Sequence, residues 1–188
     1  MTFFEAMDRM GVHTREHAQA VARLSGLVGL KMGLTTHEMR ILLVGALLHD
    51  VGKIFMPDPI LKKPGPLTPE ERLIMELHPV AGSRILERSE VPPAAVAPAR
   101  HHHERYDGGG YPDGLRGEEI PLAARLVQVA DAFDAMTQGR IYRWGIPPAE
   151  ALEEIKRNAG TQFDPRVVRV FVAATANLQR LSLSLALQ

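Results

Sequence analysis

The chain contains no cysteine among its 188 residues, which excludes disulfides, thiolate metal sites and cysteine nucleophiles. Neither charge is in excess, since 22 basic residues balance 22 acidic ones. Bulk charge therefore recruits neither nucleic acid nor a membrane surface, and no DNA or RNA duplex is expected as a partner. Long apolar runs are missing too. The most apolar stretch, residues 41–48, is far too short to span a bilayer. The opening MTFFEAMDRM has no basic segment leading into an apolar one, so no signal peptide is expected and a cytoplasmic location follows. No run of alternating β-branched residues suggests a central sheet.

What is present reads as helix almost throughout. Hydrophobic content of 45% with 23% charged residues suits one globular domain, long enough to bury about 70% of its unfolded surface. From Thr14 to Met32, apolar residues recur at three-and-four spacing. Thr35 with Glu38, and Thr68 with Pro69 and Glu71, are helix-start patterns. Pro79 is expected to end or kink the second of these helices just after His78. Further helices are expected at 93–102, 122–138, 148–158 and from 165 onward. Two irregular segments interrupt them, 54–67 and the glycine-rich YDGGGYPDGLRGEEIP, and loops this long tend to be functional. There is no internal repeat and no linker. The fold class is all-α.

Asp50 closes the apolar run ILLVGALLHD. A carboxylate there is desolvated and faces the negative end of its helix, costs that a multivalent cation would offset together. Asp131, in LVQVADAFDAM, repeats the burial problem. Histidines gather nearby in type: His13 and His17 share a helix face, His49 adjoins Asp50, and His78 and His101 to His103 follow. A lone His17 or His78 is more often a satisfied core or surface histidine than a ligand, and His37 is read as structural. Two acids in apolar helices with histidines on separate helices are hard to explain without a metal. Imidazole and carboxylate donors without thiolate suit iron, manganese, nickel or zinc.

The motifs LLHDVGKI (47–54), ILKKPGPLTPEE (60–71), HP..G (78–82), HHERYDGGGYPDGLRGEEIP (102–121), VADAFDAMT (129–137) and GTQFDP (160–165) belong together. With them the chain resembles the HD-GYP subgroup of the HD metal-dependent phosphohydrolases, from about residue 13 to 172, within a single domain 1–188. The resemblance implies an HD-superfamily helical bundle with additional C-terminal helices and a long GYP loop. It implies hydrolysis of cyclic dinucleotides, chiefly the bacterial messenger cyclic di-GMP, to linear pGpG and GMP at a binuclear or trinuclear metal centre. Carried over, His17, His49, Asp50 and Asp131 hold one divalent ion, and Asp50 bridges to a second held by His78, His102 and His103. Iron or manganese is the leading expectation. Where some members use a glutamate to reach a third ion, this chain has His13. Lys53 matches a lysine near the scissile phosphate, so Asp50 and Lys53 carry the catalytic expectation. Arg140 and Arg143 match a substrate-binding pair, although GRIYR replaces a DRPYR-like segment, with Gly139 and Ile141 for Asp and Pro. Tyr111 and Asp134 are further substrate-binding candidates, while Glu104 and Arg105 are read as pinning the loop. Two alternatives stand beside the phosphodiesterase. One is a cyclic-dinucleotide sensor or interaction module with signalling protein partners. The other is an HD phosphohydrolase acting on another nucleotide.

Overall fold

The computed structural model describes residues 12–138 and 145–186, with side chains at 15–138 and 145–176. In chain order the helices are α1 (Val12–Lys31), α2 (Thr36–Leu48), α3 (Asp58–Leu61), α4 (Pro69–Met75), α5 (His78–Glu87), α6 (Pro93–His101), α7 (Leu122–Gln138), α8 (Pro148–Arg157) and α9 (Pro165–Ala186). Short 3-10 turns occupy Val51–Phe55 and Gly117–Glu119. No strand occurs among the described residues, in keeping with the all-α expectation.

Local signals start the helices where expected. Thr35 caps α2 and Thr68 caps α4, each in a reciprocal box with the glutamate three residues on, worth about 1 kcal/mol per cap. The segment expected to be irregular over 54–67 contains α3, a single turn with Pro59 in its first positions. Pro79 does not end a helix. The preceding helix stops at Met75, and Pro79 lies in the first turn of α5, where a missing N–H costs nothing.

α1, α2 and α7 pack side by side through Val21, Val28, Leu42, Ala46, Leu126 and Ala130, all buried. α8 and α9 close this core with Ile155, Val167 and Phe171, and the Phe171 ring meets Phe133 edge-on at 5.2 Å. Burying a side chain such as Phe171 contributes about 1.5–3 kcal/mol. A second cluster, Leu48, Val51, Leu86, Val96 and Ala99, joins α2 to α5 and α6. His49 and Asp50 fall between Leu48 and Val51, and so are buried with them.

Two glycines permit that second junction. A Cβ on Gly45 would lie 2.6 Å from Pro98 Cγ, so only glycine lets α2 approach α6 this closely. A Cβ on Gly52 would overlap the His78 carbonyl oxygen and the Gly82 backbone, so the turn after Asp50 lies backbone to backbone on α5. The paired glycines of HDVGK and HP..G are thus one contact. Gly52→Ala is expected to destabilise by about 1–3 kcal/mol. Gly65→Ala, with open space around it, should lose far less. Urea melts would test this, and equal melts for Gly52→Ala and the parent would contradict it.

Candidate metal centre

Three histidines are fixed by one device. His49 Nδ1 lies 2.7 Å from the Ala46 carbonyl oxygen, His78 Nδ1 2.7 Å from that of Met75, and His102 Nδ1 2.8 Å from that of Pro98. Each carbonyl belongs to the last turn of α2, α4 or α6, and that of Pro98 also accepts the His102 backbone N–H at 3.1 Å. That of Met75 lacks its usual helical donor, because the residue four further on is Pro79, which has no N–H. With Nδ1–H donated to a carbonyl, each Nε2 is left as an unprotonated lone pair. All three Nε2 atoms converge on Asp50.

Asp50 divides its oxygens between two groups. Its Oδ2 lies 3.4 Å from His49 Nε2, and its Oδ1 lies 3.4 Å from His78 Nε2 and 3.6 Å from His102 Nε2. One group joins Asp50 to His17 and His49, the other is His78, His102 and His103, and within each the donor atoms lie within 4.8 Å of one another. His17 Nε2 is 3.1 Å from Asp131 Oδ1. The structure therefore brings together all seven residues expected around two ions: His17, His49, Asp50, His78, His102, His103 and Asp131. His13 lies in the first turn of α1, but its side chain is outside the described residues, as are Arg140 and Arg143.

The donor set fits a cation. His49 Nε2 and Asp50 Oδ1 are buried without a hydrogen-bond partner, an arrangement that costs roughly 1–3 kcal/mol per group unless something charged or polar completes it. His78 Nε2 and His102 Nε2 face one another at 3.3 Å. Burial drives the His102 pKa down to about 4 and that of His103 well below its usual value, so both are neutral donors at neutral pH. Burial opposes the charge of Asp50, yet Lys53 and the surrounding imidazoles hold its carboxyl well below the ordinary range. Lys53 Nζ sits 2.5 Å from Asp50 Oδ2 and is partly exposed.

The GYP loop forms the wall beside His103. Glu104 is wholly buried, and its carboxylate accepts the backbone N–H of Asp113 (2.7 Å) and of Leu115 (3.1 Å). Gly110 lies against the backbone of Glu104 and Arg105, where a Cβ would overlap it. Tyr106 and Asp107 donate their N–H groups to the Gln162 and Thr161 carbonyls, tying the loop to the segment before α9. Held this way, the Tyr111 ring stacks on His103 with centroids 4.9 Å apart and planes 20° apart. A third group of donors, His101, Glu104 and Asp113, lies outside the centre. There Arg100 already grips Asp113 at 2.7 and 2.8 Å, which opposes a second cation, so this group clamps the loop.

Asp134, expected as a substrate-binding residue, is buried on α7, and its Oδ2 lies 2.7 Å from His17 Nδ1. Asp131 and Asp134 are three apart and so share a face of α7.

A family model described as HD domain matches residues 6–167. The chain belongs to the HD domain family. It is 42% identical over 171 residues to the cyclic di-GMP phosphodiesterase response regulator RpfG of Xanthomonas campestris, covering 89% of this chain and 45% of that protein. It is 44% identical over 163 residues to a cyclic di-GMP phosphodiesterase of Thermotoga maritima, covering 86% and 44%. The solved structure of Bd1817, an HDG"Y"P protein of Bdellovibrio bacteriovorus, matches with a TM-score of 0.69 at 26% identity over 84% of this chain and 50% of that one. The chain spans less than half the length of these two curated relatives. Among HD domains it is of the HD-GYP kind, with His49–Asp50 and Gly110–Tyr111–Pro112 supplying the letters. Members of the family imply bound divalent metal, and the His/Asp clusters agree.

His17 gives the metal-free protein a pH signature. Burial disfavours its charge, but Asp131 and Asp134 outweigh this and raise its pKa from 6.5 to about 10. The stabilisation is complete below about pH 6.5 and is lost as pH rises through about 10. In chelator, urea midpoints should fall across that range, and the fall should shrink in His17→Gln. An identical fall in the variant would contradict the assignment.

Proposed function

We propose that this centre holds two divalent cations and hydrolyses a cyclic dinucleotide, cyclic di-GMP first, to linear pGpG and onward to GMP. The observation that carries the reading is the pair of buried atoms without partners, His49 Nε2 and Asp50 Oδ1, at the middle of five histidines. The names of the relatives in Xanthomonas and Thermotoga support the substrate. His17, His49, Asp50 and Asp131 would hold one ion, and His78, His102 and His103 the other, with Asp50 shared. Iron or manganese suits this mixture of imidazole and carboxylate, and nickel or zinc is accommodated by the same donors. His13 is the residue from which a third ion would be reached.

When bound, such cations supply a water acidic enough to attack at neutral pH and stabilise charge on the attacking and leaving oxygens. The chain's own groups do the rest. Lys53 is partly exposed and can turn from Asp50 to a phosphate oxygen, neutralising charge there or passing a proton to the leaving group. Tyr111, fixed on His103, offers a flat face for a base or ribose. Arg140 and Arg143 would hold the second phosphate by charge-assisted hydrogen bonds. In the same reading, residues 13–172 are the core of one domain acting in the cytoplasm on a second messenger, with signalling proteins as its partners. No helix among the described residues is long and apolar enough to cross a membrane.

Loaded with manganese or iron, the purified protein should convert cyclic di-GMP to pGpG, followed by chromatography. Asp50→Ala should abolish turnover. Lys53→Met should keep its metal and lose roughly 10²–10³-fold in kcat. Tight binding of the dinucleotide without product would move the chain to the sensor reading, and preferential turnover of a mixed guanine–adenine dinucleotide would move the substrate.

A further inference from the structure

His17 differs from the other anchored histidines of the centre in what holds it. His49, His78 and His102 lie at or just beyond helix ends and use carbonyls of a last turn. His17 lies inside α1, between Val12 and Lys31, where the neighbouring carbonyls are engaged within the helix. Its Nδ1 meets a side chain of another helix instead. α7 provides a substitute, because Asp131 and Asp134, one turn apart, meet the two ring nitrogens separately. Asp131 Oδ1 lies 3.1 Å from Nε2, and Asp134 Oδ2 lies 2.7 Å from Nδ1.

We infer that Asp134 is a positioning residue of the centre: its carboxylate takes the Nδ1–H of His17 and aims Nε2 as a ligand into the half of the centre that contains Asp131. The arrangement is the carboxylate–histidine–metal chain in which an outer acid fixes the tautomer and makes the imidazole a stronger donor. Being buried, Asp134 has little surface to offer a substrate. The consequence is asymmetry. The ion beside His17 would be held by a carboxylate-backed imidazole, backbone-anchored His49 and two acids, whereas the other half has backbone-anchored His78 and His102, His103 stacked on Tyr111, and Asp50 as its one acid. This inference rests on the proposed metal centre, and its test separates the two.

Manganese binding to the whole chain, followed by electron paramagnetic resonance of the free ion, reads the effect without substrate. Asp134→Ala should weaken one of the two ions by about 10–100-fold and leave the other unchanged. Asp134→Asn should weaken the same ion less, because its amide oxygen still accepts from Nδ1–H, and being isosteric it carries the test if the alanine variant fails to fold. His17→Ala should remove that ion. If His17→Ala loses the ion while both Asp134 variants keep it at parental affinity, the positioning role is overturned and the centre stands. If manganese binding is unchanged in His17→Ala as well, the centre itself falls. Parental metal affinity in Asp134→Asn with a raised KM for cyclic di-GMP would return Asp134 to the substrate and also overturn the inference.

Discussion

A carboxylate buried where three helices end is the constraint on which the structure depends. Carbonyls from the last turns of α2, α4 and α6 anchor the three histidines whose Nε2 atoms face Asp50. Asp131 adds a second acid on the neighbouring helix. Lys53 and His17 answer part of this charge. The remaining lone pairs, on His49, His78 and His102, are aimed at the same point by carbonyls of three last turns. Two acids and three free imidazole lone pairs gathered in a largely buried site favour cations in reach.

The family's motif letters follow from that requirement as backbone devices. Gly52 exists so that the turn after Asp50 can lie on α5 and bring His78 to the acid, and Gly45 does the same for α6 and His102. Pro79 starves the Met75 carbonyl of its helical donor and so makes it available to His78. Glu104 and Gly110 hold the GYP loop in register, which sets Tyr111 on His103. Each of these residues acts through another, and none needs to touch a substrate. Their cost in conformational freedom is met by the two apolar clusters on either side.

The acids and imidazoles were legible in the sequence because a charge in an apolar helix is an anomaly that composition cannot hide. Asp50 and Asp131 showed this directly, and the family motifs then tied His17, His78, His102 and His103 to them. The start of α2 was legible from the Thr35–Glu38 box, and α7 runs over 122–138 as expected. The contact of Asp134 with His17 was not legible, because the two lie 117 residues apart and no local period links α7 to α1. Pro79 misled, since a proline stops a helix or begins one according to where the preceding turn has already ended. Gly52 and Gly82 were visible only as motif letters, because a close backbone approach leaves no hydropathy signal.

The most direct measurement is an anomalous-difference map from crystals grown with manganese. Two peaks are expected, one on each side of Asp50, with His17, His49 and Asp131 around the first and His78, His102 and His103 around the second. Manganese found only on surface acids, with Lys53 still seated on Asp50, would contradict the metal centre outright.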